Sequence, residues 1–268
     1  MRLKAKVANS FLFARMCQSL EKLSKTWVLR LTPDRLHFIV AKSDVDSGLQ
    51  VWGQVNMDAI FEDTRIESAQ QNEIWLELSG EFLHKALKST FHAHDVVLKL
   101  TKKDDLPVLS FVMSNQSRSG KNVTVMQDVP VRVMTPQQTR ELREPTVGNS
   151  EIYIMMPPLT SIKTIVEKMK SFSNFVTISA NNSGDFHDSQ KLSQDIPQVD
   201  RDPALYAEAR IDVRDFIKFL QSSAVNPKEV VCCILDKKGL VIYVYVSADA
   251  TANQCGSLTY YMPARSGV

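Results

Sequence analysis

Glycine and proline are scarce, at 9 and 11 of 268 residues. That scarcity excludes extended low-complexity disorder, which is enriched in such residues and poor in core formers. No apolar run is long enough to span a membrane, and the opening Met1-Arg-Leu-Lys-Ala-Lys-Val7 has none of signal-peptide length. A reducing compartment is therefore expected, with Cys17, Cys232, Cys233 and Cys255 as free thiols. Cys232 and Cys233 are adjacent in an apolar run, where side chains alternate faces. They lack further ligands at metal-site spacings and read as packing residues.

Signatures of catalysis are also missing. The chain has neither a Walker pattern nor Gly-x-Gly-x-x-Gly. His92-Ala-His94-Asp95, with His84 nearby, is the best metal-like cluster, but it falls where a polar turn is expected and has no second set of ligands. Asp44 and Asp46, like Asp104 and Asp105, sit beside Gly48 or Pro107 in turn-like segments. Turn chemistry suits them better than paired acid–base work. No serine or cysteine has a recognisable nucleophile's setting. The expectation is a protein without catalytic activity, metal or cofactor.

The chain is 44% hydrophobic and 23% charged. Its length favours two domains, each able to bury a core. Leu3–Val7 alternates like a strand, and Ser10 is placed to cap a helix running to Ser24 with Leu12, Met16, Leu20 and Leu23 on its apolar face. Strands follow at Trp27–Leu31, Leu36–Val40, Leu49–Val55 and Glu73–Leu78, while Ile60–Ile66 is ambiguous. A second amphipathic helix covers Ser79–Thr90. Strands then come at Val96–Leu100, Val108–Met113 and Val123–Met134, with Pro130 marking a bulge or an edge. Thr135–Asn149 holds Pro136, Pro145 and Gly148 among polar residues and reads as a linker. The order then restarts: strand Glu151–Met155, helix Pro157–Ser171, strand Phe175–Ala180, strand Leu205–Ile211, helix Asp212–Gln221, and strands Val230–Leu235, Leu240–Val246 and Leu258–Met262.

This internal repeat predicts an α+β fold of two domains, 1–134 and 150–268, each with two helices on one side of antiparallel sheet. The copies are unequal. The helix starts Ser10 and Ser79 are 69 positions apart, and Pro157 and Asp212 are 55 apart. The shortfall of 14 follows Ala180. There Asn181–Pro203, rich in Asn, Asp, Ser, Gln and Pro, reads as an irregular loop where the first half has a strand pair.

Charge is distributed unevenly. The four helices carry Arg15, Lys22, Lys25, Lys85, Lys88, Lys163, Lys168, Lys170, Arg214 and Lys218 against five acidic residues, a balance of +5 in a chain of net +2. The remainder therefore carries −3. Arg15, Gln18, Lys22 and Lys25 recur at three, four and three, and Lys85 with Lys88, Lys163 with Lys170, and Arg214 with Lys218 share faces. Apolar backs with basic fronts suit contact with phosphates, which adds salt-sensitive affinity without sequence readout. The alternative is a set of solvated faces with local pairs such as Glu167 with Lys163 or Lys170.

Several collinear stretches resemble a known family. They are the opening Met-Arg-Leu-Lys-Ala-Lys-Val, Leu23–Ile39, Asn72–Leu78, Leu83–Lys88, Asp128–Val133, Ser161–Lys170, Asp212–Leu220 and Val225-Asn-Pro227. Together they are similar to the Hus subunit of the nine-one-one checkpoint sliding clamp, over nearly the whole chain. The resemblance implies a DNA-clamp fold in which the helices line a central hole and the sheets form the rim. It implies a non-catalytic subunit of a heterotrimer with two Rad-type clamp subunits, placed by a clamp loader on double-stranded DNA at recessed ends. It further implies checkpoint signalling and a platform for repair enzymes, including double-strand break repair and telomere maintenance. The implied location is the nucleus, extending to cytoplasm and nucleolus, with no membrane association. The ten basic residues would face DNA. The strand containing Pro107, Val108, Leu109, Ser110, Phe111, Val112 and Met113 would offer its edge to one neighbour. The second domain would offer a strand from the pair after Ala180, which this chain lacks. A homotrimeric replicative clamp, an enzyme on a duplicated scaffold, and an interaction scaffold without DNA contact are the rival readings.

Overall fold

The computed structural model describes residues 1–41, 48–116, 122–181, 183, 202–248 and 253–265. The first half runs β1 (Arg2–Val7), α1 (Ser10–Leu20), β2 (Thr26–Leu31), β3 (Arg35–Val40), β4 (Gln50–Asn56), β5 (Phe61–Glu67), β6 (Ile74–Ser79), α2 (Gly80–Ser89), β7 (Asp95–Lys103), β8 (Leu106–Gln116) and β9 (Asn122–Val133). A short α3 (Pro136–Glu141) follows. The second half is β10 (Ile152–Met155), α4 (Leu159–Met169), β11 (Phe175–Ala180), β12 (Ala207–Asp212), α5 (Val213–Phe219), a 3₁₀ segment at Leu220–Val225, β13 (Glu229–Leu235), β14 (Gly239–Ser247) and β15 (Gln254–Pro263).

Local chemistry sets several boundaries. The Asn9 side chain, not that of Ser10, accepts the Leu12 N–H at 2.9 Å and caps α1. The helix ends at Leu20, so Lys22 and Lys25 lie in the turn beyond it rather than on the helix. Asp104 and Asp105 have φ of 49° and 62°, the backbone of a tight hairpin turn between β7 and β8. The ambiguous stretch after Ile60 is a strand, pairing with β1 along a bulged register. Pro130 is the last residue of β9 opposite β8; the next three residues pair with β6 instead. A residue with no N–H to donate thus sits where the strand changes partners.

Among the described residues thirteen strands join in one antiparallel sheet, in the order β10-β13-β14-β15-β4-β3-β2-β6-β9-β8-β7-β1-β5. The two halves meet at β15 and β4, where Gly53 pairs with Leu258 and Gly256 with Val55. The backbones approach closely there: a Cβ on Gly256 would collide with the Gln54 carbonyl. α1 packs against α2 on one side and, on the other, against the 3₁₀ segment after α5; that segment also meets α4. The helices thereby form one layer over one sheet face, around a core that includes Phe13, Met16, Leu20, Phe38, Leu83, Phe219 and Tyr260. Each such side chain contributes about 1.5–3 kcal/mol by burial. All four cysteines are buried free thiols.

The opposite face carries two smaller apolar clusters, one on Val28, Ile39 and Met134 and one on Val231, Cys233, Leu235 and Val241. The segment after Met134 crosses this face. It is more ordered than a linker reading implies: Thr135 and Gln138 form a reciprocal capping box for α3. Leu142 packs beside Trp52 and Trp75, and Tyr261 Oη donates to Glu144 Oε1 at 2.7 Å.

The described pairings of the two halves differ. β2 pairs with β3 on one side and β6 on the other, whereas β11 pairs with β12 alone among the described residues. Residues 32–73 separate β2 from β6, a span of 42; residues 181–206 separate β11 from β12, a span of 26. The expected irregular loop at Asn181–Pro203 lies almost wholly outside the described residues.

Candidate nucleic-acid interface and strand edges

The ten basic residues singled out by spacing are distributed along the helix layer. Arg15 projects from α1, and Lys22 and Lys25 from the turn after it; all three are exposed. Lys85 and Lys88 are exposed on α2, Lys168 is exposed on α4, and Lys170 is exposed at the cap of α4. Lys163 and Lys218 are half-buried, and Arg214 is exposed on α5. Lys22, Lys25 and Lys218 line one groove between the end of α1, the start of α2 and α5, shared with Glu21 and Glu81. Residues from both halves are thus brought together there, while the lysines of α4 stand apart from that groove.

Three of the ten are engaged by acidic neighbours. Lys85 Nζ meets Glu81 one turn away at 2.5 Å. Arg214 forms two side-chain bonds to Asp212, at 3.2 and 3.0 Å. Lys218 lies 3.6 Å from Asp215, which also attracts Arg265 at 3.8 Å. Burial raises the Asp215 carboxyl above its usual range despite these two cations, with the Asp212 charge adding to the effect. Arg15, Lys22, Lys25, Lys88, Lys163, Lys168 and Lys170 form no ion pair with a described residue. Glu167, the expected local partner of Lys163 or Lys170, pairs with neither. The positive field is therefore least neutralised around the end of α1 and along α4. Arg265 was not anticipated; it is brought to Asp215 by the backbone bond from its N–H to the Arg210 carbonyl at 2.7 Å. The Asp215–Lys218 spacing of three was a readable signal for that pair.

The strand expected to offer an edge is internal. β8, which holds Pro107, Val108, Leu109, Ser110, Phe111, Val112 and Met113, pairs with β7 on one side and β9 on the other along its length. With no free row of backbone groups it cannot template a neighbour. The open edge belongs to the first part of β9, which has β8 on one side and no partner on the other among the described residues until Val131 meets β6. Val123, Val125 and Met126 are exposed along it.

The histidines do not converge. His92 and His94 are exposed, while His84 is buried and bonds to Glu21 Oε2 at 2.8 Å through Nδ1. Among the described residues no group of three or more His, Cys, Asp or Glu side chains is placed to hold a metal ion. Asp95 instead lies 3.3 Å from Lys6. No described helix is long and apolar enough to cross a membrane. Asp44 and Asp46 lie outside the described residues.

Comparison with known proteins fits this geometry. The family described as Hus1-like protein matches residues 1–189 and 185–266. The chain belongs to the Hus1-like family. The human Checkpoint protein HUS1 is 32% identical, with 99% of this chain and all of the relative covered. The Checkpoint protein hus1 of Schizosaccharomyces pombe is 29% identical, with 98% of each covered. The human alignment spans 288 positions against 268 residues here, so at least 20 positions of it fall opposite gaps in this Hus1-like chain. A solved Proliferating Cellular Nuclear Antigen from Entamoeba histolytica matches with a TM-score of 0.68 at 13% identity, covering 98% of this chain and 99% of that one. At that identity the likeness establishes the fold: two repeated α+β units of a DNA-clamp type. Family and fold together support a checkpoint clamp subunit.

Proposed function

We propose that this Hus1-like chain is one subunit of a heterotrimeric checkpoint clamp that encircles double-stranded DNA without reading sequence. The observation that carries this reading is the single helix layer on which seven basic side chains remain free of ion pairs to described residues. A layer of that kind facing the hole would bind phosphates by charge and leave the outer face for other proteins. The remaining ring positions would be filled by two Rad-type clamp subunits, with a clamp loader placing the ring at recessed ends. Its work would be checkpoint signalling and support of repair enzymes in the nucleus, with double-strand break repair and telomere maintenance among the processes served. The chain itself would perform no catalysis.

The test replaces Lys22, Lys25, Lys163 and Lys170 by Ala in the assembled ring. DNA affinity should fall at low salt, and the slope of log affinity against log salt should flatten by about 3 to 4 if each lysine meets a phosphate. An unchanged slope would remove the DNA-facing assignment and leave an interaction scaffold.

A further inference from the structure

The basic stripe of α1 does not begin with a charge. Its exposed positions are Phe11, Arg15 and Gln18, continued by Lys22 and Lys25 in the turn beyond. The intervals are four, three, four and three, so Phe11 stands on the same face as the cations. It is 54% exposed. On α2 the pattern recurs: Phe82, 50% exposed, shares the face of Lys85 and Ser89. Neither ring belongs to the core.

Phe11 is held in place. Its ring stacks on that of Phe91, with centroids 4.4 Å apart and planes 17° from parallel. Phe91 is packed against the core, and its N–H donates to the Lys88 carbonyl at 3.4 Å. The stack is thus anchored at Phe91 and ends in the open ring of Phe11. Arg15, one turn along α1, and Lys88, one turn before Phe91, flank it. Neither forms an ion pair with a described residue.

The two helices run antiparallel. Phe11 at the start of α1 meets Phe91 beyond the end of α2, and Glu21 after α1 meets His84 early in α2. Phe11 and Phe82 therefore mark opposite ends of one basic strip. Phe11 and Glu21 are ten positions apart, which makes the strip about 15 Å long. A single strand at about 3.4 Å per nucleotide places about four or five nucleotides along it.

A duplex gives an exposed aromatic ring little to hold, because its bases are already stacked and its outside is phosphate and groove edge. A single strand offers open base faces. Any base can stack on an aromatic ring while the phosphates meet cations. A protein partner suits the strip less, since the core of a protein interface is depleted of lysine.

We infer that Phe11, backed by Phe91 and flanked by Arg15 and Lys88, is a stacking platform for an unpaired base of single-stranded DNA. This rests on the reading that the helix layer meets DNA, and it extends that reading. At a recessed end the duplex gives way to a single strand, and this strip distinguishes the two.

The test uses the full chain assembled with two clamp-fold subunits. Fluorescence anisotropy reads the affinity for labelled oligothymidine and, separately, for a duplex of equal length. Phe11→Leu keeps an apolar side chain but removes the flat ring, and Phe11→Tyr keeps the ring. Phe11→Leu should weaken single-strand binding about fivefold or more. Duplex binding, the salt slope, assembly and the melting temperature should not change. Phe11→Tyr should bind the single strand as the native chain does, and 5-iododeoxyuridine in that strand should photo-cross-link to Phe11. If Phe11→Leu binds the single strand normally while Lys22→Ala with Lys25→Ala still weakens duplex binding, the platform falls and the DNA-facing layer stands. If neither the leucine nor the lysine variant alters binding of either DNA, both fall. Equal losses on single strand and duplex, or failed assembly of Phe11→Leu, would assign the ring to the fold or to a subunit contact and overturn the proposal.

Discussion

Glu21 and His84 join the two helices of the first half: Oε2 of Glu21, at the end of α1, lies 2.8 Å from Nδ1 of His84, which is buried in α2. The bond fixes the angle at which the basic turn of Lys22 and Lys25 meets α2. His84→Ala should cost about 1–3 kcal/mol, because it opens a small cavity and leaves the carboxylate without its partner. Urea unfolding of the single and double variants would measure the coupling. Additive losses would deny it.

Gly80 begins α2 directly against the indole of Trp27, and a Cβ there would overlap the ring. Gly80→Ala should therefore destabilise the first half by about 1–3 kcal/mol, although alanine is the better helix former. A shifted Trp27 emission with a lower urea midpoint is the expected observation.

His37 makes stability depend on pH. Burial, reinforced by Arg30 and Arg35, lowers its pKa to about 4 from 6.5. Between those values the unfolded chain binds a proton that the folded chain does not. Stability should therefore fall as the pH drops from 6.5 towards 4. After allowance for the partial exposure of the ring, the contribution is about 1 kcal/mol. His37→Gln should flatten this part of the profile in thermal unfolding across that window.

Tyr261 and Glu144 hold the segment after α3 on the outer face. The phenol is raised above its ordinary range, first by burial and then by the bond to the carboxylate. Tyr261→Phe should leave global stability within about 1 kcal/mol while hydrogen exchange in residues 136–144 quickens. Unchanged exchange would mean that Leu142 alone anchors the segment.

Much of the fold was legible because the helices are amphipathic and recur in the same order. Leu12, Met16 and Leu20 mark α1 as Val213, Phe216 and Leu220 mark the helix before β13. The shortened second half was visible as a spacing. Other features depended on tertiary contacts. The charged sequence of β5 hides its alternation, since only Phe61 of that strand is buried. The six-residue α3 has no apolar face and announces itself solely through Thr135 and Gln138. The basic residues were identifiable by spacing, as were the pairs Asp215–Lys218 and Glu81–Lys85 at helical intervals of three and four, but the engagement of Arg214 by Asp212 and of Arg265 by Asp215 depended on the fold. The edge was misassigned although β8 held the clue: Val108, Leu109, Phe111 and Met113 are all buried, as in a central strand, while β9 mixes polar residues with exposed Val123 and Val125.

The most direct measurement of the proposed function is topological. The assembled complex is loaded onto closed circular DNA, washed at high salt, and the circle is then cut once. A ring around the duplex stays on the circle and slides off the cut ends, so retention should collapse on linearisation. Equal retention on circular and linear DNA would contradict encirclement and the role assigned to the helix layer.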